Sequence, residues 1–300
     1  MASVFNRDEL AAQALAGGGP RVSGIREFMT DQHRRFFAQL PYIFIGAIDS
    51  TGWPLATVLT GQPGFVRSPD QTTLHIFALP APEDPVNEAL VSERDIAILG
   101  IDLSTRRRNR ANGRILNRDE DGIEVTVAQS FGNCPQYIHR RDISGVSVPS
   151  AGAASASMVE VFDGLDGAAR AMITDADTFF VASRSRPGEG SSFGADISHR
   201  GGPRGFVRID RNTLTIPDFR GNRYFNTLGN LTADPRAALL FVQFDSGDVL
   251  QLQGSAEVDW NSANEYAGAE RVWRVHVTRS FRRRAALPLR WVIAQREVKS

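Results

Sequence analysis

Cysteine and lysine are nearly absent from this chain of 300 residues. Cys134 is the single cysteine, so no intrachain disulfide can form and no cysteine cage for a metal or an iron–sulfur cluster can be built. The histidines show no metal-ligand spacing either. Lys299 is the only lysine, so the positive charge is carried almost entirely by arginine. A metal site is therefore not expected.

Net charge and long apolar runs are also missing. Lys+Arg and Asp+Glu both number 34, so no overall charge draws the chain to nucleic acid or to a membrane surface. No apolar run approaches the roughly 20 residues of a membrane helix, and the N-terminus lacks the apolar core of a secretory signal. We expect a cytoplasmic protein with neither nucleic acid nor membrane as partner. Arginine clusters such as Arg106–Arg108 and Arg282–Arg284 could still hold phosphates.

The sequence contains an internal repeat. Gly64-Phe65-Val66-Arg67 recurs 141 positions later at residues 205–208, and Asn112-Gly113 recurs as Gln253-Gly254 at the same spacing. Short apolar runs alternate with turn-forming residues in both halves, which is typical of antiparallel strands. The sequence therefore predicts a mainly β protein made of two copies of one module.

Composition divides the chain further. We predict an N-terminal arm (1–25) with a helix at Arg7–Leu15, a first module (26–142), a Ser/Gly/Ala-rich linker (143–157) and a second module (158–300). Helices are predicted within Gly24–Leu40, over its counterpart Val159–Thr174 and at Asn264–Glu270.

A polar segment, Arg220–Thr227 with sequence RGNRYFNT, lies between two predicted strands of the second module. Guanidinium groups bind phosphate in a bidentate manner, Asn and Thr donate hydrogen bonds, and a glycine lets the backbone approach a ligand. The segment therefore predicts a phosphate site, and the alternative is a surface turn with solvated arginines.

The first module lacks this segment. Its counterpart, residues 79–87, reads LPAPEDPVN. Proline removes backbone donors, and the acidic side chains of Glu83 and Asp84 repel a phosphate. We expect the second module to hold the cofactor and the first to be its scaffold.

The order of several short motifs resembles the pyridoxamine 5'-phosphate oxidase-like, FMN-binding split-barrel family. The motifs are His199–Gly201, Gly205–Arg208, Arg220–Asn222, Asp234–Arg236 and Leu250–Gly254. The resemblance runs from about Arg26 to Trp291 and implies two tandem split β-barrels of antiparallel, Greek-key type with short flanking helices. The stretches RRRNRANGR and FGNCPQYI resemble a tandem subgroup that is fused to a flavin reductase and a ferredoxin domain.

The family resemblance implies an FMN site. By resemblance, the phosphate and ribityl chain would be bound by Arg220, Gly221, Asn222, Asn226 and Thr227, the strand beneath the ring would carry Arg200 and Gly201, and Gln251 would reach the ring edge. Asn230 would either close the phosphate pocket or cap a helix, and His199–Gly202 could instead be a flexible loop. From the first module, Thr60, Gln62 and the segment 129–138 would either touch the flavin or pack between the modules.

The implied function is an FMN-dependent oxidoreductase with redox chemistry at the flavin. Its partners would be a small-molecule substrate or a separate reductase, and because family members usually form homodimers, a homodimer of this chain is also expected. The alternatives are a non-catalytic flavin- or haem-binding electron-transfer protein and a degenerate barrel that serves only as a scaffold.

Overall fold

The computed structural model describes residues 3–146, 158–186, 188, 194–262 and 266–294. Its helices are α1 (Arg7–Leu15), α2 (Asp31–Gln39), α3 (Gly167–Asp175) and α4 (Asn226–Ala233). The strands of the first half are β1 (Tyr42–Ile48), β2 (Pro54–Thr60), β3 (Val66–Arg67), β4 (Thr73–Ile76), β5 (Asp95–Asp102), β6 (Arg107–Arg118), β7 (Ile123–Gly132) and β8 (Arg141–Val146). Those of the second half are β9 (Glu160–Asp163), β10 (Thr178–Arg184), β11 (Ala195–Gly201), β12 (Arg208–Asp210), β13 (Thr213–Phe219), β14 (Arg236–Gln243), β15 (Asp248–Asp259), β16 (Ala269–Arg283) and β17 (Leu289–Ile293).

Strands β1–β7 form one antiparallel sheet and strands β9–β16 form a second, while β8 and β17 pair with each other in a separate two-stranded sheet. The strand order is β2-β1-β5-β6-β7-β4-β3 in the first sheet and β11-β10-β14-β15-β16-β13-β12 in the second, with β9 added beside β16. The two orders are the same when β1 is equated with β10 and β6 with β15. The predicted mainly β, antiparallel fold is confirmed.

The two sheets pack against each other through their first strands. In β1, Ile43 and Ile45 point into the core of the first sheet, whereas Tyr42 and Phe44 point into a second core shared by both sheets. The rings of Phe44 and Phe180 stack there with centroids 3.5 Å apart. Burial on both faces explains why β1 and β10 are almost continuously apolar rather than alternating.

Several predicted boundaries differ in the structure. The helix expected over Val159–Thr174 begins only at Gly167, because residues 160–163 pair with β16 as strand β9. Residues 143–146 of the predicted linker lie in β8, which pairs with β17, and residues 147–157 fall outside the described part of the chain. The helix expected at Asn264–Glu270 is wrong at its end, since β16 already begins at Ala269. Residues 264 and 265 are not described.

The N-terminal arm packs on the second half of the chain. Helix α1 has the predicted bounds and begins with a capping box, in which the Asn6 and Glu9 side chains each accept from the other's backbone N–H. A Cβ added at Gly229 of α4 would lie 2.8 Å from the Cα of Glu9, so the two helices touch backbone to backbone. In the part of the chain that the structure describes, no helix is long and apolar enough to cross a membrane.

Candidate functional site

A cavity lies where the two halves of the chain meet. The first half lines it with Arg108, Arg110, Asn133, Gln136 and Tyr137. The second half lines it with Ser198–Gly201 of β11, Phe206, the end of β13, most of the loop before α4, the first residues of α4, and Glu270 and Arg271. Both halves of the chain are therefore needed to build this site.

The loop before α4 has an unusual backbone. Arg223 and Phe225 both adopt left-handed conformations, with φ of 62° and 59°, which non-glycine residues rarely do. Phe225 is the N-cap of α4 and makes no side-chain capping bond. The first N–H groups of α4, at Asn226 and Thr227, therefore lie beside the cavity without a side-chain cap. An uncapped helix N-terminus carries partial positive charge and favours an anion.

Contacts from outside the loop hold this conformation in place. The Arg223 guanidinium donates to the carbonyl of Gly18 at 2.9 Å, and the Gln13 amide donates to the carbonyl of Tyr224 at 3.2 Å. From the first module, the Tyr137 hydroxyl donates to the carbonyl of Arg220 at 3.1 Å. The arm and the first module thus both position the loop.

Positive charge dominates the cavity wall, which carries five arginines and two acidic residues. Arg200 and Arg271 share the Asp218 carboxylate at 2.6 and 2.7 Å. Arg110 pairs with Asp196 at 2.8 Å. Arg108 has no carboxylate within ion-pair distance among the described residues. Burial, together with the neighbouring Arg110, lowers the pKa of Arg108 to about 9, so its guanidinium remains charged at neutral pH.

Arg108 determines the tautomer of His199. An Nη atom of Arg108 lies 2.9 Å from Nδ1 of His199. A guanidinium has no acceptor, so Nδ1 accepts this bond and the ring proton sits on Nε2. Burial and the charge of Arg108 lower the pKa of His199 well below its usual value, so the ring is neutral. Nε2 is buried and has no partner among the described residues, which makes it an unused donor.

Other buried polar atoms at the cavity also have no hydrogen-bond partner within the described part of the chain. They are the Nε atoms of Arg108, Arg110 and Arg200 and the Oδ1 atom of Asn133. Buried polar atoms are normally satisfied, and three of these four are arginine donors, so the set suits a ligand that is anionic and rich in acceptors. A flavin mononucleotide carries acceptors on its phosphate and on its ring carbonyls, and its ring N–H could donate to Asn133, so it fits these groups.

The structure brings most of the predicted residues to the cavity. Arg200, Gly201, Gly221, Asn222, Asn226 and Thr227 all line it. Two of them already have protein partners: the Asn226 amide donates to Glu9 at 2.5 Å, and the Thr227 hydroxyl donates to Ser198 at 2.8 Å. Arg220, at the start of the loop, does not line the cavity. Its side chain is exposed, and its carbonyl accepts a hydrogen bond from the Tyr137 hydroxyl.

Besides Arg220, two predicted cofactor residues lie away from the cavity. Gln251 is 2% exposed, and its amide donates to the carbonyl of Ala56 and the carboxylate of Asp84. Gln251 therefore does not line this cavity, because its strand face packs on the first module. Asn230 is buried within α4 and donates to Ser183 at 3.2 Å, so it neither caps the helix nor lines the cavity.

The first-module candidates divide in the same way. Asn133, Gln136 and Tyr137 of the segment 129–138 line the cavity. Gln129 instead donates to the carbonyl of Val4, and Ser130 bonds to His33. Thr60 and Gln62 are not among the lining residues.

Arg110 and His199 carry site contacts that the sequence did not assign, and Arg108 was expected only as part of an arginine cluster that could hold phosphate. The signal was present in part, since the two arginines are two apart and so share one face of β6. That this face meets β11 of the other module depends on packing between the sheets.

Glu9 should make stability depend on pH. Burial raises its pKa to about 7 from 4.5, so the folded state binds the proton more tightly than the unfolded state. The contribution of the protonated Glu9 to the free energy of unfolding is fully present below pH 4.5 and is lost as the pH rises through about 7. We expect Glu9→Gln to remove this loss, on the order of 3 kcal/mol between pH 4.5 and 7. Urea unfolding across this range measures it, with the exposed Glu120→Gln as the control. Equal pH slopes for Glu9→Gln and the wild type would contradict the prediction.

Gly201 permits a close backbone contact at the cavity. A Cβ added there would lie 2.0 Å from the carbonyl oxygen of Tyr137. We expect Gly201→Ala to push β11 away from the first module and to lower the free energy of unfolding by about 1–3 kcal/mol. Gly145→Ala is the matched control, because its Cβ would meet nothing within 4 Å. Urea unfolding compares the two, and similar losses would show that the contact is unimportant.

These features define a protein of two antiparallel β modules with a cationic cavity between them. Residues 165–294 match the family model of pyridoxamine 5'-phosphate oxidase. The match covers the second module and confirms, for that part of the chain, the resemblance to the pyridoxamine 5'-phosphate oxidase-like split-barrel family that the motifs indicated.

Likenesses to solved structures are weak. HupZ of Group A Streptococcus is 16% identical with a TM-score of 0.31, over 39% of this chain and 93% of that chain. A FAD-binding protein from Mesorhizobium loti is 11% identical with a TM-score of 0.27, over 41% of this chain and 96% of that chain. A search of curated proteins gives no significant match.

Proposed function

We propose that the chain binds FMN in the cavity between its modules and acts as an FMN-dependent oxidoreductase. The observation that carries the proposal is the pair of buried, unsatisfied groups at Arg108 and His199, next to the uncapped N-terminus of α4. The α4 N–H groups with Gly221 and Asn222 would bind the phosphate, and Arg108 and His199 would meet further acceptors.

A bound flavin supplies the redox chemistry. Within the cavity, Arg108 would stabilise negative charge on a ligand, because no carboxylate of the described residues pairs with its own charge. His199 would donate a hydrogen bond from Nε2 without taking up a proton there, since that nitrogen already carries one. The pair Arg200–Asp218 would keep the β11 side of the cavity rigid. A small-molecule substrate and an external reductant or separate reductase complete the proposed reaction.

A non-catalytic flavin protein is the second candidate, and haem is a poorer fit. A histidine that ligates iron through Nε2 must carry its proton on Nδ1 or lose it. Arg108 already donates to Nδ1, so the tautomer of His199 opposes ligation. The homodimer and the cytoplasmic location stay predictions.

The test is a titration of the purified apoprotein with FMN, riboflavin and FAD, followed by absorbance and fluorescence. We expect FMN to bind at least about tenfold more tightly than riboflavin, because only FMN carries the phosphate. Absence of flavin binding would overturn the proposal. Reduction of bound FMN by NADH or NADPH and its reoxidation by a substrate would distinguish an oxidoreductase from a flavin carrier.

A further inference from the structure

The first module contains a counterpart of the cavity. The cavity is built from β11, β6 and the loop before α4. The two sheets share one strand order, so each of these elements has an equivalent in the other module. The equivalent of β11 is β2, that of β6 is β15, and that of the loop is the segment 79–87. A second ligand position is therefore expected where β2 meets β15, on the opposite side of the module interface.

That position is occupied by a side chain of the protein itself. The carboxylate of Asp84 is 2% exposed and lies 2.6 Å from the guanidinium of Arg283, which is 4% exposed. The Gln251 amide donates to the other carboxylate oxygen at 3.0 Å, as does the backbone N–H of Val86. The Thr57 hydroxyl also donates to the carboxylate.

The donors correspond in position to residues of the cavity. Thr57 of β2 pairs with Ile45 of β1, and Ser198 of β11 pairs with Val181 of β10, so Thr57 and Ser198 occupy equivalent positions in the two sheets. Gln251 of β15 pairs with Leu240 of β14, and Arg110 of β6 pairs with Leu99 of β5, so Gln251 and Arg110 are equivalent as well. Asp84 comes from the segment aligned with the phosphate loop. The carboxylate therefore sits among the counterparts of residues that face the cavity in the second module.

We propose that Asp84 is a built-in ligand that fills the anion site of the first module. A guanidinium, an amide, a hydroxyl and a backbone N–H converge on it, which is the donor set of an anion site rather than of a surface ion pair. Two consequences follow. The chain has one site for an external flavin, a consequence that rests on the proposed function. Removal of the Asp84 side chain opens a pocket that takes a small monocarboxylate, which depends only on the cluster.

The second consequence is tested by chemical rescue of Asp84→Gly. Thermal unfolding is measured in sodium formate, sodium acetate and sodium chloride at equal ionic strength. We expect a melting temperature roughly 10 °C below the wild type in chloride, because Arg283 is left buried without its partner. Formate should restore part of the loss in a saturable way. Rescue by chloride to the same extent, or no rescue, would overturn the proposal.

Controls separate a specific site from a general salt effect. The wild type and the Asp84→Gly/Arg283→Met double variant should show no difference between formate and chloride, because one has its carboxylate and the other lacks the cation. A formate effect of equal size in either would contradict the assignment.

Stoichiometry gives a measurement that does not depend on the variant folding. One FMN per wild-type chain is expected from equilibrium titration, and two would overturn the built-in ligand. If the wild type binds no flavin, the proposed function fails, while formate rescue of Asp84→Gly still decides the status of Asp84.

Discussion

Replacing Arg283 by methionine is expected to lower the free energy of unfolding by about 3–5 kcal/mol. Arg283 is the cation beside Asp84, and both side chains are buried between the modules. Removing the guanidinium leaves a carboxylate in a site with low water access, and the remaining donors from Thr57 and Gln251 are neutral. Urea unfolding of the purified variant measures the loss.

Two further variants make this result specific to the buried pair. Arg284→Met removes the adjacent, exposed arginine, which pairs with Glu160 at 2.9 Å, and should cost less than about 1 kcal/mol. Asp84→Asn/Arg283→Met removes both charges and should be more stable than Arg283→Met alone. A loss for Arg283→Met no larger than for Arg284→Met would contradict the assignment of a buried, interdependent pair.

Replacing Arg108 by methionine should weaken FMN binding by about 10–100-fold, the effect of losing one charged hydrogen-bond donor. The ligand-free protein should be as stable as the wild type or more so. The reason is that Arg108 is a half-buried cation whose buried Nε has no hydrogen-bond partner and whose charge has no carboxylate partner among the described residues, so its charge costs stability until an anion binds. Flavin titration and thermal unfolding without ligand measure the two effects.

Weaker FMN binding together with unchanged or greater stability of the ligand-free protein would distinguish a binding role of Arg108 from a structural one. Arg114→Met is the matched control, since Arg114 lies on the same strand but is exposed and does not line the cavity. Arg114→Met should change neither the affinity for FMN nor the stability of the ligand-free protein appreciably. If Arg108→Met destabilised the ligand-free protein and left flavin affinity unchanged, Arg108 would be a packing residue and the cavity would need another explanation.

Local sequence signals predicted the elements well where they depend on neighbouring residues. Helix α1 has its expected bounds because Asn6 and Glu9 form a local capping box. The prediction failed at 159–174, where Val161 and Phe162 lie in a strand that pairs with β16 more than a hundred residues away. Helix propensity there was outweighed by a non-local partner.

The sequence by itself determined the mainly β class and the division into two halves of like strand order, and it placed the arginine- and asparagine-rich loop in the second half. Apolar alternation, turn residues and the exchange of RGNRYFNT for LPAPEDPVN are all properties of short segments. Only the tertiary structure decided which side chains meet. Gln251 faces Asp84 rather than the cavity, and Arg108 binds His199 across the module interface, because sheet packing brings together residues 167 and 91 positions apart. Segment patterns contain no information about such pairings, since the strand faces are set by how two sheets are buried against each other.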